Sequence, residues 1–122
     1  MSHVINVSED GKYIILEIAG DITTENIMNM ILEAHALGEK LKISQYLVDG
    51  IRARNMSSVT DNYNFAYKNM RATPGVNLSA RVAMLVSQDD HSHDFIETVT
   101  QNSGFVTKLF RDRNSAIDYL TR

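Results

Sequence analysis

The stretch RVAMLVSQDDHSHDFIETVTQNSGFVTKLF, from Arg81 to Phe110, holds a strand, a helix and a second strand in one run. Arg81 to Val86 is short and almost wholly apolar, the pattern of a strand covered on both faces. A polar turn follows. Phe95, Ile96 and Val99 then recur at helical spacing, and Asn102-Ser103-Gly104 ends that helix. Val106 to Phe110 reads as the next strand. Two strands joined by a crossover helix form a parallel pair, whereas antiparallel neighbours need only a tight turn. This unit therefore predicts an α/β protein.

Reading outward, Asp112 or Asn114 caps a last helix carrying Ala116, Ile117 and Leu120. Upstream, Tyr46-Leu47-Val48 is another short apolar strand. Val59, Tyr63, Ala66, Tyr67 and Met70 are spaced as the inner face of a helix, and Arg71 to Asn77 reads as a loop around the Pro74-Gly75 turn. At the N-terminus, residues 3–8 and 13–19 flank Glu9-Asp10-Gly11-Lys12, the signature of an antiparallel hairpin. Gly20 to Thr24 is expected to be a loop ending in N-cap residues. Ile27, Met30, Ile31, Ala34, Leu37 and Leu41 then mark one face of a helix, with Gly38 either inside it or at its C-terminal cap. The element order is β-β-α-β-α-β-α-β-α. It implies a single domain over residues 1–122, with a mostly parallel five-stranded mixed sheet, an N-terminal antiparallel hairpin and about four helices.

The 122 residues, 43% of them apolar, suffice for a real core without staples. A net charge of −3 argues against nucleic-acid binding, which needs a positive field. With no cysteine, disulfides, thiolate metal sites and cysteine nucleophiles are excluded. Met1-Ser2-His3 leads directly into a strand pattern with no signal-peptide character, and no apolar run approaches a membrane span. The expectation is a soluble cytoplasmic protein.

Loops that follow parallel strands gather at one sheet edge, where ligands usually bind. Those loops are expected to carry Asp49, Arg52, Arg54, Ser57 and Ser58, then Asp89, Asp90 and His91. Ser58-Val59-Thr60-Asp61 matches a capping box, which explains one serine by local structure alone. The sharper reading uses the same helix start: free N–H groups, with Arg52 and Arg54 nearby, would hold an anion or a phosphoserine. His91 and His93 lie two apart and would not share a helix face, so the Asp89–Asp94 cluster is read as acidic helix-start residues, with no metal. Neither phosphate-cradling glycine motif occurs, and no GxSxG elbow supports a triad, so no cofactor and no catalytic residue is assigned. Tyr63, Phe65 and Tyr67 point in several directions around one helix and suggest a homodimer contact.

YLVDGI at 46–51, SARVAMLVS at 79–87 and VTKLFRDRNSAIDYL at 106–120, taken with the element order, resemble the SpoIIAA-like or STAS superfamily. The resemblance implies a five-stranded mixed sheet with surrounding helices, usually without catalysis. Its best-known members are anti-anti-sigma factors, phosphorylated on a serine at the helix start after the third strand, within Asp-Ser-Ser/Thr-Gly. Here Asn55-Met56-Ser57-Ser58-Val59 stands in that place, without the aspartate and with valine for the glycine. Other members of the wider fold bind lipids or small apolar molecules between helices. The resemblance thus implies a non-enzymatic regulatory or protein-interaction module controlled near Ser57 and Ser58, or alternatively a carrier or sensor of a small apolar or anionic ligand at the C-terminal edge of the sheet.

Overall fold

The chain begins as a hairpin whose turn is held by one hydroxyl. Ser8 Oγ accepts the N–H groups of Lys12 and Tyr13 and donates to Asp10, at 3.1, 3.2 and 2.6 Å. Gly11 turns the chain at a φ of 71°, in the left-handed region that glycine enters freely. On either side run β1 (Ser2–Val7) and β2 (Ile14–Ile22), antiparallel, with Val7 opposite Ile14. The computed structural model describes residues 2–122; Met1, read from the sequence as leading into the first strand, lies outside the described residues.

Beyond the hairpin come α1 (Thr24–Leu41), β3 (Gln45–Asn55) and α2 (Val59–Asn64). A π-helical turn over Phe65–Asn69 leads from α2 into α3 (Met70–Ala72), so these pieces form one continuous helical segment. Then follow β4 (Arg81–Leu85), α4 (Asp94–Asn102), β5 (Val106–Phe110) and α5 (Arg113–Thr121). The sheet order is β1-β2-β3-β4-β5, with β2 to β5 all parallel.

That order positions everything else. Each crossover from β2 to β5 steps one strand in the same direction, so right-handed connections put their helices on a single face. On this inner face Met30 and Ala34 of α1 pack on Leu16, Ile18, Ile14 and Tyr46. The opposite face is left to α5, whose Ala116 and Leu120 pack on Leu47, Ala83 and Leu85. Strand alternation makes this possible: Tyr46 and Val48 look one way, Leu47 the other. The helical segment from Val59 to Ala72 leans on α4 rather than flat on the strands.

Several sequence expectations change. β3 runs to Asn55, eleven residues in all, so Asp49, Arg52 and Arg54 lie on a strand and not in the loop after it. The cause is β2, which also continues past Ala19 and pairs Ile22 with Asn55; a shift between Glu17 and Ala19 absorbs the extra β3 residue. On the second helical segment Val59 and Tyr63 are 65% and 49% exposed, and the buried face is Asn62, Phe65 and Ala66 instead. Phe95 and Leu41 are also exposed. Gly38 proves interior to α1, and Lys42, at a φ of 59°, forms the left-handed cap.

Candidate ligand cavity

Because the Val59–Ala72 segment is propped on α4, the middle of the inner face is incompletely filled. A cavity of about 130 Å³ lies there. Its floor is Tyr46, Val48, Val82, Met84 and Leu109 from the strands; its roof is Ile27 and Ile31 of α1, Phe65 and Met70 of the π-turn region, and Ile96 of α4. The lining is overwhelmingly apolar and includes no lysine or arginine. Its carboxylate, Glu97, is engaged: one oxygen accepts the backbone N–H of Leu109 at 2.5 Å.

The polar groups on the lining fall into two sets. At the C-terminal edge of the sheet, Asn55, Ser57 and Asn62 form a linked cluster. Asn55 donates from its side-chain amide to Asn62 at 3.2 Å and accepts the N–H of Ser57 at 3.0 Å. Ser57 Oγ in turn accepts the N–H of Thr24 at 2.9 Å, which satisfies a free donor in the first turn of α1. His93, 1% exposed, lies within reach of the Ala53 carbonyl at 3.3 Å and of Asp90 at 3.5 Å. Burial pushes its pKa down, against the opposing pull of that carbonyl and of Asp90. At the other end is His35, on α1. It is 7% exposed, stacks on Tyr46 at 4.5 Å between ring centres, and accepts the backbone N–H of Asn77 on Nδ1 at 2.8 Å. Burial lowers its pKa to about 4, so the ring is neutral near pH 7.

The residues singled out in the sequence are dispersed by the fold. Ser58 is exposed and its Oγ accepts the N–H of Asp61 at 3.1 Å, capping α2. Ser57, half-buried, lies on the cavity lining. Arg52 and Arg54 flank buried Ala53; Arg52 borders a shallow surface hollow with Glu17 and Asp49, and the charge of Arg54 reaches Asp90. Among the described residues neither arginine forms an ion pair with a carboxylate. Asp49 is paired with Arg113 of α5, on the face away from the cavity.

The Asp89–Asp94 loop is organised by Arg111, which donates to the carbonyls of Ser87 and Asp90 at 2.6 and 2.8 Å and meets Asp94 at 3.2 Å. His91 sits beside Asp94 at 2.9 Å, while Asp89 is exposed. Asp90 is buried, which alone would raise its pKa; bonds from the Ser92 hydroxyl and N–H, with His93 and Arg54 nearby, hold it below the usual carboxylate value instead. Among the described residues no three His, Asp or Glu side chains converge as an ion would require.

Sequence reasoning missed His35, His93, Asn55, Asn62 and Glu97. A signal existed for His35: it lies four residues after Ile31, on the apolar stripe of α1, where a polar side chain must find a buried partner. For His93 no local pattern distinguishes a buried ring from a loop residue.

No family model and no curated protein matches this sequence. Among solved structures, the chain is similar to an uncharacterized protein of the DUF3478 family with a SpoIIAA-like fold, from Shewanella loihica PV-4. The two share 19% identity with a TM-score of 0.56, over 98% of this chain and 92% of that one. The strand order, the parallel run from β2 to β5 and this likeness agree: the chain has the SpoIIAA-like fold.

Proposed function

We propose that this chain is a non-enzymatic binding module whose interior takes a small, mainly apolar molecule. The observation that carries the reading is the cavity of about 130 Å³ between the sheet and α1, the π-turn and α4. Apolar cavities near 150 Å³ stay dry and accept benzene-sized guests. The favoured ligand site lies between the layers, with Asn55 and Ser57 of the sheet edge on its lining, and is not built from the edge loops themselves. Mass spectrometry of the protein from its own host, run native and denatured, tests this. A small mass present only in the native run supports it; an empty chain that also excludes small hydrocarbons in titration overturns it.

A second reading, a regulatory interaction surface at Ser57 and Ser58, is favoured by a separate observation. Met56, Val59 and Tyr63, close to Ser58 in the chain, are exposed as Ser58 is, and the rings of Tyr63 and Tyr67 pack tilted with centres 4.5 Å apart. Such a patch suits a partner protein or a second copy of the chain, and a phosphate on Ser58 would change its charge at once. The denatured mass spectrum would place a phosphate on Ser58 or rule it out. Sedimentation of wild type against Tyr63→Lys would reveal a homodimer built on this face. No helix among the described residues is long and apolar enough to cross a membrane.

A further inference from the structure

His35 is a largely buried, cavity-lining residue with a hydrogen bond at only one of its two ring nitrogens. Its Nδ1 accepts the N–H of Asn77 at 2.8 Å, so that nitrogen is unprotonated and the neutral ring carries its proton on Nε2. Among the described residues Nε2 has no hydrogen-bond partner. The hydroxyl of Tyr46, the stacked neighbour, is engaged elsewhere, donating to Ile43 at 3.3 Å. His35 is 7% exposed and lines the cavity, at the end away from the Asn55, Ser57 and Asn62 cluster. A donor in a largely apolar pocket that the protein leaves unpartnered gains free energy from a ligand that supplies the acceptor.

Resting on the cavity reading, we propose that the site selects a neutral ligand of about six to eight non-hydrogen atoms, bearing a carbonyl or ether oxygen that accepts from His35 Nε2–H. The hydrocarbon body would lie toward Val82, Met84 and Phe65. Neutrality follows from the lining: without lysine or arginine, and with Glu97 on the wall, a carboxylate would be buried unpaired. The cavity volume sets the size.

The test uses two probes of the same shape, cyclohexanone and methylenecyclohexane, titrated by NMR into wild type and His35→Phe. In wild type both bind, and the ratio of ketone to alkene affinity falls about five- to tenfold in His35→Phe, the worth of one hydrogen bond. An unchanged ratio overturns the proposal while leaving the cavity reading intact. Binding of neither probe to wild type overturns both. Should His35→Phe fold poorly, ¹⁵N-histidine spectra of wild type serve instead. Cyclohexanone should shift the His35 Nε2–H signal and methylenecyclohexane should not; equal shifts, or none with ketone bound, overturn the proposal.

Discussion

Gly38 shows how one residue can be set by a neighbour remote from any local rule. A Cβ there would stand 2.0 Å from the Tyr46 hydroxyl and 2.7 Å from the Ile43 carbonyl. Helix propensity favours Ala over Gly by about 1 kcal/mol, but overpacking costs about 1–3 kcal/mol. The backbone oxygen cannot swing aside as a side chain can. Gly38→Ala should therefore lower stability in urea unfolding, and adding Tyr46→Phe should restore part of the loss by removing the nearer obstacle. His35 governs a second residue-scale effect. Its pKa is about 4 when folded against 6.5 for the free side chain, so below pH 6.5 the unfolded chain takes up a proton that the folded chain refuses. Stability is thus fully present above pH 6.5 and falls as pH drops toward 4, by up to about 3 kcal/mol. Buried His93 adds in the same direction. Asp10, Asp90 and Asp112, all held below the usual carboxylate value, lose their contributions only at lower pH. His35→Phe should flatten the unfolding free energy between pH 6.5 and 4, and an unchanged slope would show that the ring is not buried neutral.

At the scale of elements, two adjacent serines serve two different helices. Ser58 caps its own helix, whereas Ser57 reaches across to the first turn of α1. Ser58→Ala should cost about 1 kcal/mol and Ser58→Asp almost nothing, since aspartate caps equally well. Ser57→Ala should also cost about 1 kcal/mol, because it leaves the Thr24 N–H without its acceptor. Equal tolerance of all three in thermal unfolding would remove the capping account. The π-turn over Phe65–Asn69 is the other element-scale device. Its wider coil adds a residue between Phe65 and Met70, both of which line the cavity. Deleting exposed Lys68 should close the bulge into ordinary α-helical winding while leaving Met70 on the face it presents now, because the π-turn carries one extra residue within a single turn. Helix content by circular dichroism and hydrocarbon affinity should both persist, and a several-fold loss of affinity would show that the cavity needs the wider coil itself.

For the whole molecule, the unfilled space is an energetic deficit. At ~24 cal/mol per Å³, a cavity of about 130 Å³ corresponds to roughly 3 kcal/mol of stability forgone. Ala80, buried on the cavity wall, offers a way to fill it. Ala80→Leu should abolish binding of methylenecyclohexane while leaving stability unchanged or raised by up to about 2 kcal/mol. A loss of stability comparable to other overpacked cores would show that the space is not there to be filled.

How much of this was legible follows from the range of each interaction. The apolar run at Arg81–Val86, the helical spacing of Phe95, Ile96 and Val99 and the strand at Val106–Phe110 gave the parallel unit correctly, because burial on both faces leaves its pattern in consecutive residues. The hairpin at Gly11 and the Asp112 cap were equally local. The length of β3 was not: Asp49 to Asn55 are polar enough to read as loop, and only pairing with the far end of β2 makes them strand. Nor was the buried face of the Val59–Ala72 segment, since the π-turn and the lean on α4 expose Val59 and Tyr63 and bury Asn62. The sequence by itself determined the order and type of the strands and helices, though not how far β2 and β3 extend, and that most of the sheet is parallel, for these depend on neighbours in the chain. The cavity, the tautomer of His35 and the division of labour between Ser57 and Ser58 were decided only by tertiary structure, because each depends on groups brought together from distant parts of the chain.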